Sequence, residues 1–385
     1  MSDKKLSALI AGGGLGGLAT AAALAQRGWD VTVLERQSEL RANGSGIYIW
    51  ENGLRVLKAL GAYEQAIEGA FYGSHFEQRD LNNEVIDCGP TPPDRRLITV
   101  MRSQLLKSLE QAGKRAGVKV RTNVEVIAAS ARGEVQLASG ERLRADLVVG
   151  ADGIWSRIRQ SLGLELVHEQ TREGALRTMI ERKPGDTDAQ DAQKYIENWN
   201  GLHRLLITPV SETQTYLALT CPHDDVRASN TQIDKEYWSA LFPHWAHLIE
   251  RADGPVTWGR YSVTRCKTWS SGRTAILGDA AHAQPPNLGQ GGGMAMQNGL
   301  ALATFLEKVQ DARDIPEALE AWENNEREIV EHCQKWSCLY GEISALPDAV
   351  RTQVVRSAMA NPWSYAQIFR AASHTPTGTV QAELC

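Results

Sequence analysis

Six residues near the N-terminus have the spacing that holds phosphate. Gly12-Gly13-Gly14-Leu15-Gly16-Gly17 fits the pattern GxGxxG at positions 12, 14 and 17. Gly12 permits a tight turn out of a strand, Gly14 lets a pyrophosphate approach the backbone, and Gly17 lets the following helix pack close to that strand. A helix start at this point offers free N–H groups and a positive dipole end. Glu35 follows where a carboxylate can bond the hydroxyls of a ribose. Nicotinamide and flavin dinucleotides share this motif, so by itself it leaves NAD and FAD both open.

Two later motifs carry further chemistry. Leu147 to Gly150 read as a strand that runs into Ala151-Asp152-Gly153 and the basic segment Arg157-Ile158-Arg159. Thr274 to Gly278 read as another strand, continuing through Asp279-Ala280-Ala281-His282 and Pro285-Pro286-Asn287-Leu288-Gly289-Gln290-Gly291-Gly292-Gly293 into a helix. Asp279 can accept hydrogen bonds from a polyol chain, and the glycines expose N–H groups at a helix start to an electron-accepting ring. His282 has the side chain of a base, yet its place inside a cofactor motif points to a structural role. Arg157 and Arg159 read equally well as nicotinamide contacts or as a solvated charged face.

These three motifs, in this order, resemble the single-component FAD-dependent aromatic hydroxylases of the para-hydroxybenzoate hydroxylase type. The resemblance runs to about residue 340. It implies that Glu35 binds the adenosine ribose and that Arg102, opening MRSQLLKSL, contacts the phosphate and ribityl region. Asp152 and Arg159 would serve FAD and the reduced nicotinamide, and Asp279 would bind the ribityl chain. Gly289, Gln290, Gly291 and Gly292 would face the flavin ring, with Pro286 over the reaction pocket. Leu15, Arg36 and Arg41, beside the first motif, complete the expected cofactor contacts. The family often has an acid where this chain has Asn298. The chemistry implied is hydride transfer from NAD(P)H to FAD, addition of dioxygen at the flavin C4a, and delivery of OH from the hydroperoxide to an electron-rich ring. Here the cofactor carries the difficult bond chemistry and the protein supplies position and exclusion of water. The stretch from Glu39 to Leu57, with ELRA, GIY, Trp50 and NGLRVL, is most similar to the 2-methyl-3-hydroxypyridine-5-carboxylate oxygenase group. A small aromatic or pyridine carboxylate is therefore the expected partner, with dioxygen. A reductase or halogenase on the same scaffold, or a flavin-binding redox sensor, are the alternatives; the WxWxIP of halogenases is absent.

For the substrate, the strand pair His203–Thr208 and Thr215–Thr220 is the candidate wall. Alternation puts Arg204, Leu206 and Thr208 on one face. Arg204 presents a planar fork that suits a carboxylate, or else pairs with an acid at the surface. Tyr216 can donate to a ring substituent, and His75 and His203 are the nearest candidates for deprotonating a ring hydroxyl.

The elements that must position these groups follow from composition and pattern. At 385 residues, 42% hydrophobic and 23% charged, the chain can bury a large core. A net charge of −5 gives no reason to expect nucleic acid or an anionic membrane as partner. No apolar run is long enough to span a bilayer. The six cysteines form no CxxC, which argues against zinc or a disulfide framework and for a reducing cytoplasm. The glycines entering at once after Ile10 mark a strand rather than a signal peptide. Leu15–Arg27, Gly53–Leu60, Arg102–Ala116, Gly293–Lys308 and Ile315–Trp336 read as helices. Trp199, Trp238, Trp245 and Trp258 read as packing residues of a mostly antiparallel sheet. The expected fold is α/β. Residues 1–70, 101–170 and 266–345 form a three-layer FAD domain on a mainly parallel sheet, interleaved with an antiparallel substrate domain from 71–100 and 171–265. Residues 346–385 form a C-terminal helical segment and a polar tail, poorly ordered from about 372. A monomer or homodimer is expected.

Overall fold

The computed structural model describes residues 5–40 and 45–379. Ser7–Ala11, Asp30–Leu34 and Leu147–Gly150 are apolar runs buried on both faces, as strands of a parallel sheet are. They form the centre of a six-stranded sheet, in the order Ser270–Ser271, Thr274–Ile276, Leu147–Gly150, Ser7–Ala11, Asp30–Leu34, Lys119–Arg121. All neighbours run parallel except the first pair. Helix Leu15–Gln26 is buried at every position from Leu15 to Leu24, which its Ala- and Leu-rich sequence allows. Small residues let helix Gly291–Phe305 press against it. A Cβ on Gly299 would lie 2.4 Å from Thr20 Oγ1, and one on Gly16 would lie 2.9 Å from Leu277 Cδ1.

The second sheet has seven strands, in the order Thr257–Cys266, Glu165–Glu181, Gln214–Pro222, His203–Pro209, Lys194–Asn200, His75–Arg79, Val85–Pro90. It is antiparallel except where Lys194–Asn200 meets His75–Arg79. One face carries Leu176, Ile196, Leu205, Ile207, Leu217 and Leu219, buried against Trp238, Phe242, Trp245 and Leu248. The other face looks toward the parallel sheet, and the functional cavity lies between the two.

Three features differ from the sequence reading. Leu97–Met101 leaves the substrate sheet and pairs instead with Gly46–Trp50, directly before helix Arg102–Ala116. Strand Glu165–Glu181 runs through the boundary expected at 170 and 171. The long helix extends past Trp336 to Ser344, and the helical segment expected after 346 consists of two helices, Asp348–Ala360 and Pro362–Ser373. The polar residues after them are tied down: Thr375 accepts from Arg55 at 2.8 Å, and Thr377 donates to Glu326 at 2.9 Å. No helix among the described residues is long and apolar enough to cross a membrane. The described cysteines are free.

Candidate active site

The first motif adopts the geometry its glycines require. Gly12 has φ +103°, and a Cβ there would lie 2.3 Å from the Ala151 carbonyl oxygen. A Cβ on Gly17 would lie 2.0 Å from the Gly12 carbonyl oxygen. Gly14, by contrast, has open space in front of it, so a phosphate can reach the backbone at the helix start. Glu35 stands at the end of its strand and accepts from Gly13 N at 2.8 Å and Gln37 N at 2.9 Å. This fixes the carboxylate beside the glycine turn with lone pairs left for a ribose.

Gly14, Leu15, Arg102, Asp279 and the segment Pro286–Gly292 all line one cavity of about 700 Å³. That volume is within the range of cofactor and ligand sites. Asp279 is enclosed by protein, yet its side chain is exposed to this cavity. Burial raises its pKa, and the Arg102 guanidinium opposes the rise. An unpaired carboxylate and an arginine facing one cavity fit the hydroxyls and phosphates of a dinucleotide. Helix Gly291–Phe305 begins at the cavity wall with no acid in its first turn, so its free N–H groups face the position of the ring. Gln290 is held by Asn52 at 3.0 Å. These observations together fit FAD.

Several expected cofactor residues have other work. Asp152 is absent from the cavity wall and caps helix Arg157–Ser161: it accepts from Ser156 Oγ at 2.6 Å and Ile158 N at 3.2 Å. Arg159 is fully buried and joins two motifs, donating to the Ala280 carbonyl at 2.9 Å and the Ile154 carbonyl at 2.8 Å. Its partner Glu165 completes a structural cluster. Arg36 and Arg157 are exposed and do not reach the cavity. Arg41 lies outside the described residues. His282 is structural: it bonds Asn298 at 2.5 Å, and burial pushes its pKa down to about 4. The acid missing at 298 comes from a neighbouring helix, where Glu326 accepts from Asn298 at 3.2 Å.

On the substrate side, strand parity decides. Gln78, Glu197, Arg204, Leu206, Tyr216 and Arg177 face the cavity from five adjacent strands. His75 and His203 have the opposite parity and are not in its wall. His75 bonds Ser74 at 3.0 Å, and His203 pairs with Asp225 at 2.9 Å against Trp238. Neither can deprotonate a ring in this cavity.

Arg204 reaches the cavity but is no free anchor. Its guanidinium donates to Glu173 at 2.6 Å, Glu197 at 3.1 Å and Asn287 at 3.1 Å. Burial works against its charge, yet the two glutamates outweigh it and raise the pKa. Tyr340, from the long helix, donates to Glu197 and accepts from Gln78 at 2.7 Å. The cluster therefore clips together the sheet, the flavin-facing loop and the long helix. Tyr216 lines the cavity. Burial pushes its pKa up to about 12, and the charge of Arg177 pulls the other way. Arg177 pairs with no carboxylate among the described residues and lies over the Tyr261 ring at 5.6 Å. Sequence reading missed Arg177, Glu197, Tyr261 and Tyr340. Arg177, Glu197 and Tyr261 left a usable signal, since alternation along a strand sets the face of each; Tyr340, on the long helix, left none.

A dinucleotide cradle, a buried ribityl acid, a glycine helix start over a pocket and a sheet wall define an FAD-dependent aromatic hydroxylase of the para-hydroxybenzoate hydroxylase type. The comparisons agree. Residues 5–337 match the model of the FAD binding domain family, FAD_binding_3, and the chain belongs to it. The chain is 39% identical, over all of both chains, to a Rhodococcus erythropolis protein provisionally named 2-heptyl-3-hydroxy-4(1H)-quinolone synthase. It is 37% identical to the 2-heptyl-3-hydroxy-4(1H)-quinolone synthase of Mycobacteroides abscessus, over 89% of this chain and 92% of that one. Among solved structures, the tetrameric form of 2-methyl-3-hydroxypyridine-5-carboxylic acid oxygenase superposes with a TM-score of 0.87, at 34% identity and 98% coverage of both chains. The protein is an FAD-dependent monooxygenase, and the reductase, halogenase and sensor alternatives are set aside.

Proposed function

We propose that this protein hydroxylates a ring carbon of an uncharged 4-quinolone-type N-heteroaromatic compound, using NAD(P)H and dioxygen. The observation that carries this reading is the engagement of Arg204 by Glu173 and Glu197. Two carboxylates on one guanidinium leave no positive charge there for an anionic substrate. A further carboxylate placed beside Arg204 would meet net negative charge at that cluster. The full-length likeness to the quinolone synthases supports it.

When bound, FAD supplies electron acceptance from the nicotinamide and activation of dioxygen. The chain's own residues do the rest. Asp279, Arg102 and the helix N-terminus at Gly291 hold the cofactor. The Tyr216 hydroxyl and the Arg177 guanidinium offer donors to a ring oxygen and fix the ring's orientation. Burial keeps Tyr216 protonated at neutral pH, so it remains a donor. Pro286 and the apolar wall exclude water from the reacting carbon.

A hydroxypyridine carboxylate is the second reading. Arg177, with no acidic partner among the described residues, favours it, as does the likeness to the pyridine oxygenase. FAD-loaded protein, assayed for NADH and NADPH oxidation, oxygen uptake and product mass, separates the two. A 2-alkyl-4(1H)-quinolone should stimulate turnover and gain one oxygen atom. Stimulation and oxygenation by 2-methyl-3-hydroxypyridine-5-carboxylate alone would overturn the first reading in favour of the second.

A further inference from the structure

Helices Asp348–Ala360 and Pro362–Ser373 carry apolar stripes that are only partly covered by protein. On the last helix Tyr365, Ile368, Phe369 and Ala372 all line the active-site cavity. Their spacing of three, four and seven residues is one helix face. On the helix before it, Val355, Ala358 and Met359 line the same cavity with the same periodicity, and Ile343 joins them from the long helix. A helix ordinarily buries such a stripe in a core. Here Tyr365, Ile368, Phe369, Ala358 and Met359 each remain only half-buried, because the space before them is the cavity.

We propose that these helices roof an alkyl-binding arm of the active site, and that the arm selects ring substrates carrying a linear aliphatic substituent. The inference rests on the ring hydroxylation proposed above and specifies the substituent on that ring. The arm is continuous with the flavin-facing loop. Phe369 packs edge-on against Trp50 with centroids 5.7 Å apart, and Trp50 Nε1 donates to the Leu288 carbonyl at 3.0 Å. The roof is fixed rather than a loose tail. Arg356 donates to the Ile86 and Val85 carbonyls, each at 3.2 Å. Arg95 donates to the Tyr365 hydroxyl at 2.6 Å and stacks 4.1 Å from the Phe369 ring centre. His332 bonds the Gln367 carbonyl at 2.8 Å.

The test uses FAD-loaded protein and a series of 2-alkyl-4(1H)-quinolones from methyl to nonyl, with KM and product mass as readouts. KM should fall by roughly three- to fourfold for each methylene that enters the arm, until the arm is full. Ala358→Trp should move the preferred length to shorter chains and raise KM for the longest by at least about tenfold. Ile368→Ala should move it to longer ones. Trp363→Ala, exposed on the same helix and outside the cavity, should leave the length profile as in the parent. FAD content and circular dichroism confirm that each variant is folded, and a misfolded Ala358→Trp leaves the Ile368→Ala shift to decide. Oxygenation with a KM independent of tail length, or a profile unmoved by both cavity variants, overturns the arm while the ring chemistry stands. No oxygenation of any member overturns the ring reading itself.

Discussion

At the scale of single residues, the cofactor site depends on a few polar groups set where solvent would otherwise be. Asp279 is the clearest. Among the described residues its carboxylate meets only the field of Arg102, and it looks into the cavity. In the proposed role its bonds to flavin hydroxyls would be charge-assisted, each worth about 1.5–3 kcal/mol. Asp279→Ala should weaken FAD binding by roughly ten- to a hundredfold while the apoprotein's unfolding midpoint stays near that of the parent. Flavin fluorescence titration beside urea unfolding checks both halves. Unchanged flavin affinity would remove Asp279 from the site. Asp152 shows the opposite case. An acid in a cofactor motif is engaged in capping a helix, and its type alone could not distinguish that role.

At the scale of elements, the Arg204 cluster joins three parts that are far apart in sequence. Glu173 and Glu197 come from two strands, Asn287 from the flavin-facing loop, and Tyr340 from the long helix. Removing the cation leaves two buried carboxylates uncompensated, which typically costs about 3–5 kcal/mol. Arg204→Met should therefore lower the unfolding midpoint of the FAD-loaded protein strongly. Combining it with Glu173→Gln and Glu197→Gln should recover part of the loss. A variant as stable as the parent, with only its substrate KM raised, would restore Arg204 as a substrate anchor. The same elements were partly legible beforehand. The helix Arg102–Ala116 is bounded by its own sequence, ending at Gly117 in the left-handed conformation with φ 91°. The C-terminal segment was expected to be helical, but that its apolar stripes line a cavity was not legible in it.

At the scale of the whole molecule, a buried polar chain ties the cofactor motif to the C-terminal residues. His282 bonds Asn298, Asn298 donates to Glu326, and Thr377 donates to the other oxygen of Glu326. The His282 pKa is depressed from 6.5 to about 4 in the folded protein, so the unfolded chain binds the extra proton first. Its contribution to stability is present above about 6.5 and is lost as pH falls from there toward about 4. Thermal unfolding followed over that interval should show a falling midpoint in the parent and a shallower fall in His282→Gln. Equal slopes would mean that His282 is not kept neutral by the fold.

What the sequence alone determined is local. Gly12, Gly14 and Gly17, the strand before them and Glu35 after them specify a dinucleotide turn, because each requirement acts within one βαβ unit. The strand running into Asp279 and the glycines from 289 to 293 before a helix are legible for the same reason. What only the tertiary structure decided is which charges meet. Arg204 has the correct strand face, yet Glu173 lies 31 residues away from it in sequence and Tyr340 still further along the chain. His203, one position earlier, is turned to the opposite face by the alternation of the strand. Pairing across a sheet and between a sheet and a helix depends on register and packing, and no spacing within one segment encodes it. The cavity exists only where two sheets and the last helices meet.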